Sequence, residues 1–228
     1  MSLIDLTALA GAELVRTPYD FAVITDTFAD GATARALGSG FAADAFVRSE
    51  RGAGAGGKQY VMFSRTVVRD GVPDGVDDLS PAWRGVVDDL LSDGYRDALA
   101  ALTGVALDGC AVEARLTRYA AGCWIEPHTD RPDKALTHLF YFNEGWRAEW
   151  DGDFRVLSGP RMRDCVRRVP PRLGTSVVMV PSPRSWHGVP PVTEDCPQER
   201  LALLVHFVRP PGDGPTAASP DPLARSGS

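Results

Sequence analysis

The run Arg118-Tyr119-Ala120-Ala121-Gly122-Cys123-Trp124-Ile125-Glu126-Pro127-His128-Thr129-Asp130 decides how this chain reads. In an extended segment alternate side chains share a face, so His128 and Asp130 point the same way and offer an imidazole and a carboxylate to one ion. An isolated HxD pair is weak evidence, because polar loops contain it often. Farther along, Ser185-Trp186-His187-Gly188-Val189-Pro190-Pro191-Val192 supplies a second histidine that completes three ligands. Two histidines and one carboxylate on one face of an octahedron leave open positions opposite, the arrangement used for non-heme Fe(II) and oxygen chemistry.

Arg200 strengthens the reading. It follows His187 by 13 residues and opens the apolar run Leu201-Ala202-Leu203-Leu204-Val205-His206-Phe207, which reads as a strand. A guanidinium carried into a core by such a strand needs an anionic partner, and a carboxylate is its best geometric match. A dicarboxylate cosubstrate fits that requirement.

These residues resemble an Fe(II)/2-oxoglutarate-dependent dioxygenase of the prolyl-4-hydroxylase-like branch, over most of the chain. Tyr19-Asp20-Phe21-Ala22-Val23-Ile24-Thr25-Asp26-Thr27-Phe28 is similar to the branch's opening strand, and Leu139-Phe140-Tyr141-Phe142-Asn143-Glu144-Gly145-Trp146 to its tyrosine strand and turn. The resemblance implies His128, Asp130 and His187 as iron ligands and Arg200 as the anchor for the far carboxylate of 2-oxoglutarate. Tyr119 and Tyr141 would help hold that cosubstrate, with O2 as the second cosubstrate and ascorbate as reductant. One departure stands out: where the family usually has two glycines and an aliphatic residue, this chain has Asp151-Gly152-Asp153-Phe154.

The implied reaction is hydroxylation of an unactivated C–H bond with release of succinate and CO2. Asp130 supports hydroxylation, because a halogenating relative needs a small residue there; desaturation or ring closure uses the same ligands. A small molecule, an amino acid or biosynthetic intermediate, is the expected substrate, since the chain has no peptide-binding repeat. A peptidyl-prolyl or other protein hydroxylase is the alternative within enzymes. A cupin-like metal-binding protein without turnover is the alternative outside them, and it leaves an inward Arg200 with Tyr119 and Tyr141 unexplained.

Composition agrees with one enzyme domain. A chain of 228 residues with 44% hydrophobic content can bury one substantial core. A formal charge of −6 with no basic run argues against nucleic acid or an anionic membrane as partner. Arg161-Met162-Arg163 and Arg167-Arg168 read as a solvated turn. Cys110, Cys123, Cys165 and Cys196 show no CxxC spacing, which suits a reducing compartment. The first residues lack a basic stretch before an apolar one, and no apolar run approaches the ~18 residues that span a bilayer. A cytoplasmic location is expected. Residues 1–209 read as a single domain, and 210–228, rich in Pro, Gly, Ser and Ala, as a flexible tail.

Element by element, residues 21–27 read as a strand, 32–43 as a helix and 60–68 as a strand. The glycine-rich run Arg51-Gly52-Ala53-Gly54-Ala55-Gly56-Gly57-Lys58 reads as a connector, or as a lid over the substrate; followed by Gln59, it lacks the Ser or Thr of a phosphate-binding loop. Trp83, Val86, Val87, Leu90, Leu91, Tyr95, Ala98, Leu99 and Leu102 recur on one face of a helix over 81–102, with Ser80 as N-cap, Pro81 in the first turn and Gly104 as terminator. Short strands follow over 110–119, 135–143, 154–157, 175–180 and 200–208. Helices first and short strands after suit a mainly β fold, a double-stranded β-helix (a cupin-like jelly roll) with supporting N-terminal α-helices.

Alternation assigns the faces. In 110–119, Cys110, Val112, Ala114 and Leu116 are apolar, whereas Glu113, Arg115, Thr117 and Tyr119 share the other face. With Tyr119 expected inside, Arg115 and Thr117 become candidates to touch substrate. His206 is in phase with Arg200 but beyond iron reach, so it becomes a substrate or supporting residue. His138 is out of phase with Tyr141 and belongs to the supporting layer.

Overall fold

The computed structural model describes residues 2–52 and 58–211. Residues 53–57 of the glycine run, expected to act as connector or lid, and 212–228 of the expected tail lie outside the described residues.

The strand order is built from antiparallel pairs: β1 (Phe21–Ile24), β10 (Ser176–Met179), β7 (Lys134–Tyr141), β12 (Arg200–Val208), β5 (Ala111–Tyr119), β3 (Tyr60–Arg69), β6 (Trp124–His128), β11 (His187–Val189), β8 (Phe154–Leu157) and β9 (Cys165–Val169). Short strands β2 (Val47–Arg51) and β4 (Val72–Pro73) hang on β3. The sheet curls into a nearly closed, jelly-roll barrel, as expected of a double-stranded β-helix. Long β3 makes the bend, because one end pairs with β5 and the other with β6.

Helices α1 (Leu6–Ala10), α2 (Gly31–Ser39), α3 (Pro81–Leu90) and α4 (Asp93–Thr103) support one wall. Their apolar stripes meet the outward side chains of β5, β7 and β12 in one core that includes Trp83, Tyr95, Leu99, Val112, Leu116, Phe140, Leu203 and Phe207. A second cluster, with Tyr19, Phe21, Tyr141, Phe154, Val177, Met179 and Ala202, fills part of the barrel interior. Period-two strands thus serve two cores at once: odd positions of β5 face inward and even ones face the helices.

The helix expected over 81–102 is two helices. The stripe Trp83, Val86, Val87, Leu90, Leu91 and Tyr95 keeps its three- and four-residue steps across the junction, so the apolar pattern does not show the backbone break between Leu90 and Asp93. Ser92 fills the break: its Oγ accepts from the Tyr95 N–H at 3.2 Å and donates to the Asp89 carbonyl at 2.7 Å. Helix α2 stops at Ser39 with Gly40 as cap, short of the expected 43, and β1 stops at Ile24 instead of 27. Strand β2, all polar after Val47 and mostly exposed, carries no alternation to read. Arg167-Arg168, expected in a solvated turn, sit in β9, where Arg168 pairs with Asp151 and Asp153.

Candidate metal centre and cosubstrate pocket

Strand pairing brings the separated histidines together. His187 of β11 lies opposite His128 at the end of β6, and the two rings stand 4.2 Å apart, centre to centre. Asp130 follows two residues after His128, and one ligand atom from each of the three lies within 4.8 Å of the others. Each imidazole is aimed by its own backbone: His128 Nδ1 donates to the Glu126 carbonyl and His187 Nδ1 to the Ser185 carbonyl, both at 2.9 Å. A carbonyl only accepts, so Nδ1 carries the proton and each Nε2 lone pair is left for an ion. Burial, reinforced for His128 by its neighbour His187, pulls both rings below the usual imidazole range, with the Asp130 charge opposing. Both are neutral, as ligands must be.

Asp130 is held from behind by a closed ring of hydrogen bonds. Lys134 Nζ donates to Asp130 Oδ1 at 2.9 Å, and Thr137 Oγ1 donates to Oδ2 at 2.8 Å. His206 bridges these two donors, with Nε2 at 2.9 Å from Lys134 Nζ and Nδ1 at 3.0 Å from Thr137 Oγ1. The ring closes in one sense only. The ammonium is donor-only, so Nε2 accepts and Nδ1–H donates to the threonine oxygen, whose proton goes to Asp130. Burial works against the Asp130 carboxylate, but His187, Lys134 and His206 outweigh it and hold its pKa well below the ordinary range. Burial, with the Lys134 charge beside it, depresses His206 and keeps it neutral.

Arg200 opens the other end of the cavity. It is 1% exposed, opposite Tyr119 in register, and its guanidinium carbon lies 4.9 Å from the Tyr119 ring centre and 5.1 Å from that of Tyr141. Among the described residues its Nε and Nη2 have no hydrogen-bond partner, nor has the buried Tyr141 hydroxyl. An unpaired buried cation beside an unpaired phenol is costly, and a bound carboxylate would satisfy both. Burial pushes the Tyr119 hydroxyl up to about 12 against the pull of Arg200, and raises Tyr141 as well, so both phenols keep their protons as donors.

A cavity of about 750 Å³ connects these groups, lined by His128, Asp130, His187, Tyr119 and Arg200 and also by Arg115, Thr117 and His206. The inward face read from alternation in β5 is therefore the cavity face. His138 points away from it, fully buried against Phe140, with Nδ1 at 2.7 Å from the Tyr95 hydroxyl. The turn at Asp151-Gly152 takes positive φ at both residues, 49° and 65°. A Cβ on Gly152 would lie 2.8 Å from Val192 Cγ2 and 3.1 Å from Trp146, so glycine lets this turn pack beside Arg200. Asp153 is buried and gripped by Arg168 at 2.8 and 3.0 Å, and Phe154 stacks on His187 at 5.4 Å.

Sequence reading missed Lys134 and Thr137. The signal was available: Thr137, Leu139 and Tyr141 share one face of a strand by the same alternation used for β5, and Lys134 follows Asp130 by four. Lys58, seen only as the end of a glycine loop, also lines the cavity.

The donor set suits a divalent ion with open positions, and the orphaned Arg200 and Tyr141 atoms suit a carboxylate. Residues 114–208 match the family model of the 2OG-Fe(II) oxygenase superfamily. No curated protein matches the chain. Among solved structures, a Pseudomonas putida prolyl-4-hydroxylase is similar at 20% identity and TM-score 0.61, over 90% of this chain and 97% of that one. A Trichoplax adhaerens prolyl hydroxylase, solved with a fragment of the hypoxia inducible factor oxygen degradation domain, matches at 15% identity and TM-score 0.55, over 82% and 83%. The non-heme alpha-ketoglutarate-dependent epimerase SnoN of nogalamycin biosynthesis matches at 18% and 0.52, over 89% and 87%. Residues 114–208, which carry His128, Asp130, His187 and Arg200, thus match the 2OG-Fe(II) oxygenase superfamily, and the chain has the fold of prolyl-4-hydroxylase-like oxygenases.

Proposed function

We propose that this enzyme hydroxylates an unactivated C–H bond of a small molecule, with His128, Asp130 and His187 as the iron ligands and Arg200, Tyr119 and Tyr141 as the 2-oxoglutarate site. The observation that carries it is one cavity holding three convergent neutral-imidazole and carboxylate donors at one end and, at the other, a buried guanidinium with no ion-pair partner among the described residues. The family implies Fe(II), 2-oxoglutarate and O2, which together supply an oxidation that turns 2-oxoglutarate into succinate and CO2 as the substrate gains a hydroxyl. Ascorbate, as reductant, would keep the metal in its ferrous state between turnovers.

The residues do the positioning. The Glu126 and Ser185 carbonyls fix both imidazole tautomers, and Lys134 and Thr137 hold the Asp130 carboxylate in one orientation. Arg200 takes the far carboxylate in a setting from which water is excluded, where a charge-assisted pair is strong. Arg115, Thr117 and His206 line the rest of the cavity, the first two as substrate-facing groups and His206 as the support of Lys134 and Thr137. Its volume of about 750 Å³ falls in the range of small-molecule sites, roughly 300–1,000 Å³. A protein side chain is the second reading, favoured by the likeness to prolyl hydroxylases, one of them solved with a peptide fragment.

The test is succinate formation from 2-oxoglutarate with Fe(II), O2 and ascorbate, together with bound-iron content. His128→Ala, Asp130→Ala and His187→Ala are each expected to lose both, whereas His138→Ala keeps its iron. Iron lost from His138→Ala and retained by His187→Ala would overturn the ligand assignment.

A further inference from the structure

Outside the triad and Arg200, the cavity holds two cations that form no ion pair among the described residues. Arg115 and Lys58 both line it, and among the described residues neither makes a hydrogen bond, an ion pair or a ring contact. The other cations there are engaged: Lys134 with Asp130, Arg131 with Asp133, and Arg51 against the Tyr60 ring. Of the acidic residues that share the cavity, Glu126 accepts from the Gln59 N–H at 2.6 Å, and Glu113, two residues along the same face, forms no ion pair with Arg115.

The placement of these cations separates them from the cosubstrate anchor. Arg115 lies four residues from Tyr119, the register partner of Arg200, which is roughly 13 Å along an extended strand. It sits opposite Leu204, toward the His206 end of β12. Lys58 is near enough to the triad that its charge lowers the basicity of both His128 and His187. In the proposed reading Arg200, at the other end of the cavity, already takes the far carboxylate of 2-oxoglutarate. A second anion is therefore called for at the His206 end of the cavity, where Arg115 and Lys58 lie beside the triad.

We propose that Arg115 and Lys58 form a carboxylate subsite for the primary substrate, which is a small carboxylic acid. The proposal rests on the reading of this cavity as an Fe(II)/2-oxoglutarate site. A guanidinium offers paired N–H donors that match a carboxylate, and the lysine ammonium adds a point charge beside it. Burial and the repulsion of Lys134 depress the Lys58 ammonium to about 8, a cost that a bound anion relieves. An acid held here shares one cavity with His128 and His187. The acid group would act as a handle and the C–H bond to be oxidised would lie a few bonds away from it.

The full chain is loaded with Zn(II), which does not react with O2, and with saturating 2-oxoglutarate, so that the Arg200 end is filled. Free α-amino acids and simple alkyl and aryl carboxylic acids, each paired with its primary carboxamide, are then titrated by ligand-observed NMR. At least one acid is expected to bind ten or more times tighter than its amide. Loss of a charge-assisted contact makes Arg115→Leu about 10- to 100-fold weaker for that acid. Arg115→Lys should recover part of the loss, and Lys58→Met should erode the acid preference independently, each in a variant shown to be folded by its thermal unfolding. The proposal is overturned if no acid binds, if an amide matches its acid, if the preference survives in both Arg115→Leu and Lys58→Met, or if only a peptide binds. The signals of 2-oxoglutarate in the same sample separate the two failures. If it fails to bind the metal-loaded parent, the cosubstrate reading itself falls; if it binds while acids do not, only the subsite falls.

Discussion

Arg200 is the side chain on which the proposed cosubstrate site turns, because among the described residues a fully buried guanidinium has its Nε and Nη2 without a hydrogen-bond partner and only two tyrosine rings against it. Replacing it with leucine keeps the packing between Tyr119 and Tyr141 and removes only the charge. Arg200→Leu is expected to raise the 2-oxoglutarate concentration for half-maximal succinate formation by about 10- to 100-fold, the worth of a charge-assisted pair. An unchanged requirement would remove Arg200 as anchor. His206 shows why a site residue can be found without its role being found. Its phase with Arg200 placed it on the cavity face, but its work is done through Lys134 and Thr137, which hold the Asp130 carboxylate.

The junction between α3 and α4 makes a case in which two readings predict opposite signs. Within one continuous helix, Ser92 would be an interior residue, and alanine there would stabilise through its higher helix propensity. As the N-cap of α4, bonded to the Tyr95 N–H, it satisfies a donor the helix cannot, and its loss costs about 1 kcal/mol. Ser92→Ala is therefore expected to lower the thermal midpoint by about 2–4 °C, read by calorimetry or circular dichroism. A rise would mean that the helices act as one. The strands divide in the same manner. Long, half-buried β5, β7 and β12 show their period; β2, β6, β9 and β11 exist because a neighbour pairs with them.

Across the whole molecule, all four histidines, His128, His138, His187 and His206, are buried and held below the usual imidazole range, which ties stability to pH. His138 is the clean case, since it lies away from the metal centre and is lowered to about 3 by burial alone. Below about pH 6.5 the unfolded chain protonates this residue, while the folded one resists until about 3. The unfolded state then binds more protons, and stability falls as pH drops, by about 1.4 kcal/mol per unit for one such group. His138→Leu is expected to flatten that slope by one proton between pH 6 and 4 in urea titrations, while losing stability at neutral pH because the Tyr95 hydroxyl is stranded. An unaltered slope would place the acid sensitivity elsewhere. Much of this protein was legible in its chain: the HxD pair, the second histidine, the strand led by Arg200 and the inward face of β5 are local patterns, set by a period of two and by residue chemistry. What only the tertiary structure decided is what depends on pairing across long separations. That His187 meets His128 rests on β11 lying against β6, the ring around Asp130 needs β7 beside β12, and Arg115 and Lys58 reach one cavity from β5 and the stretch before β3. No local pattern encodes such register, because strand pairing is chosen by which faces of the whole sheet can be buried together.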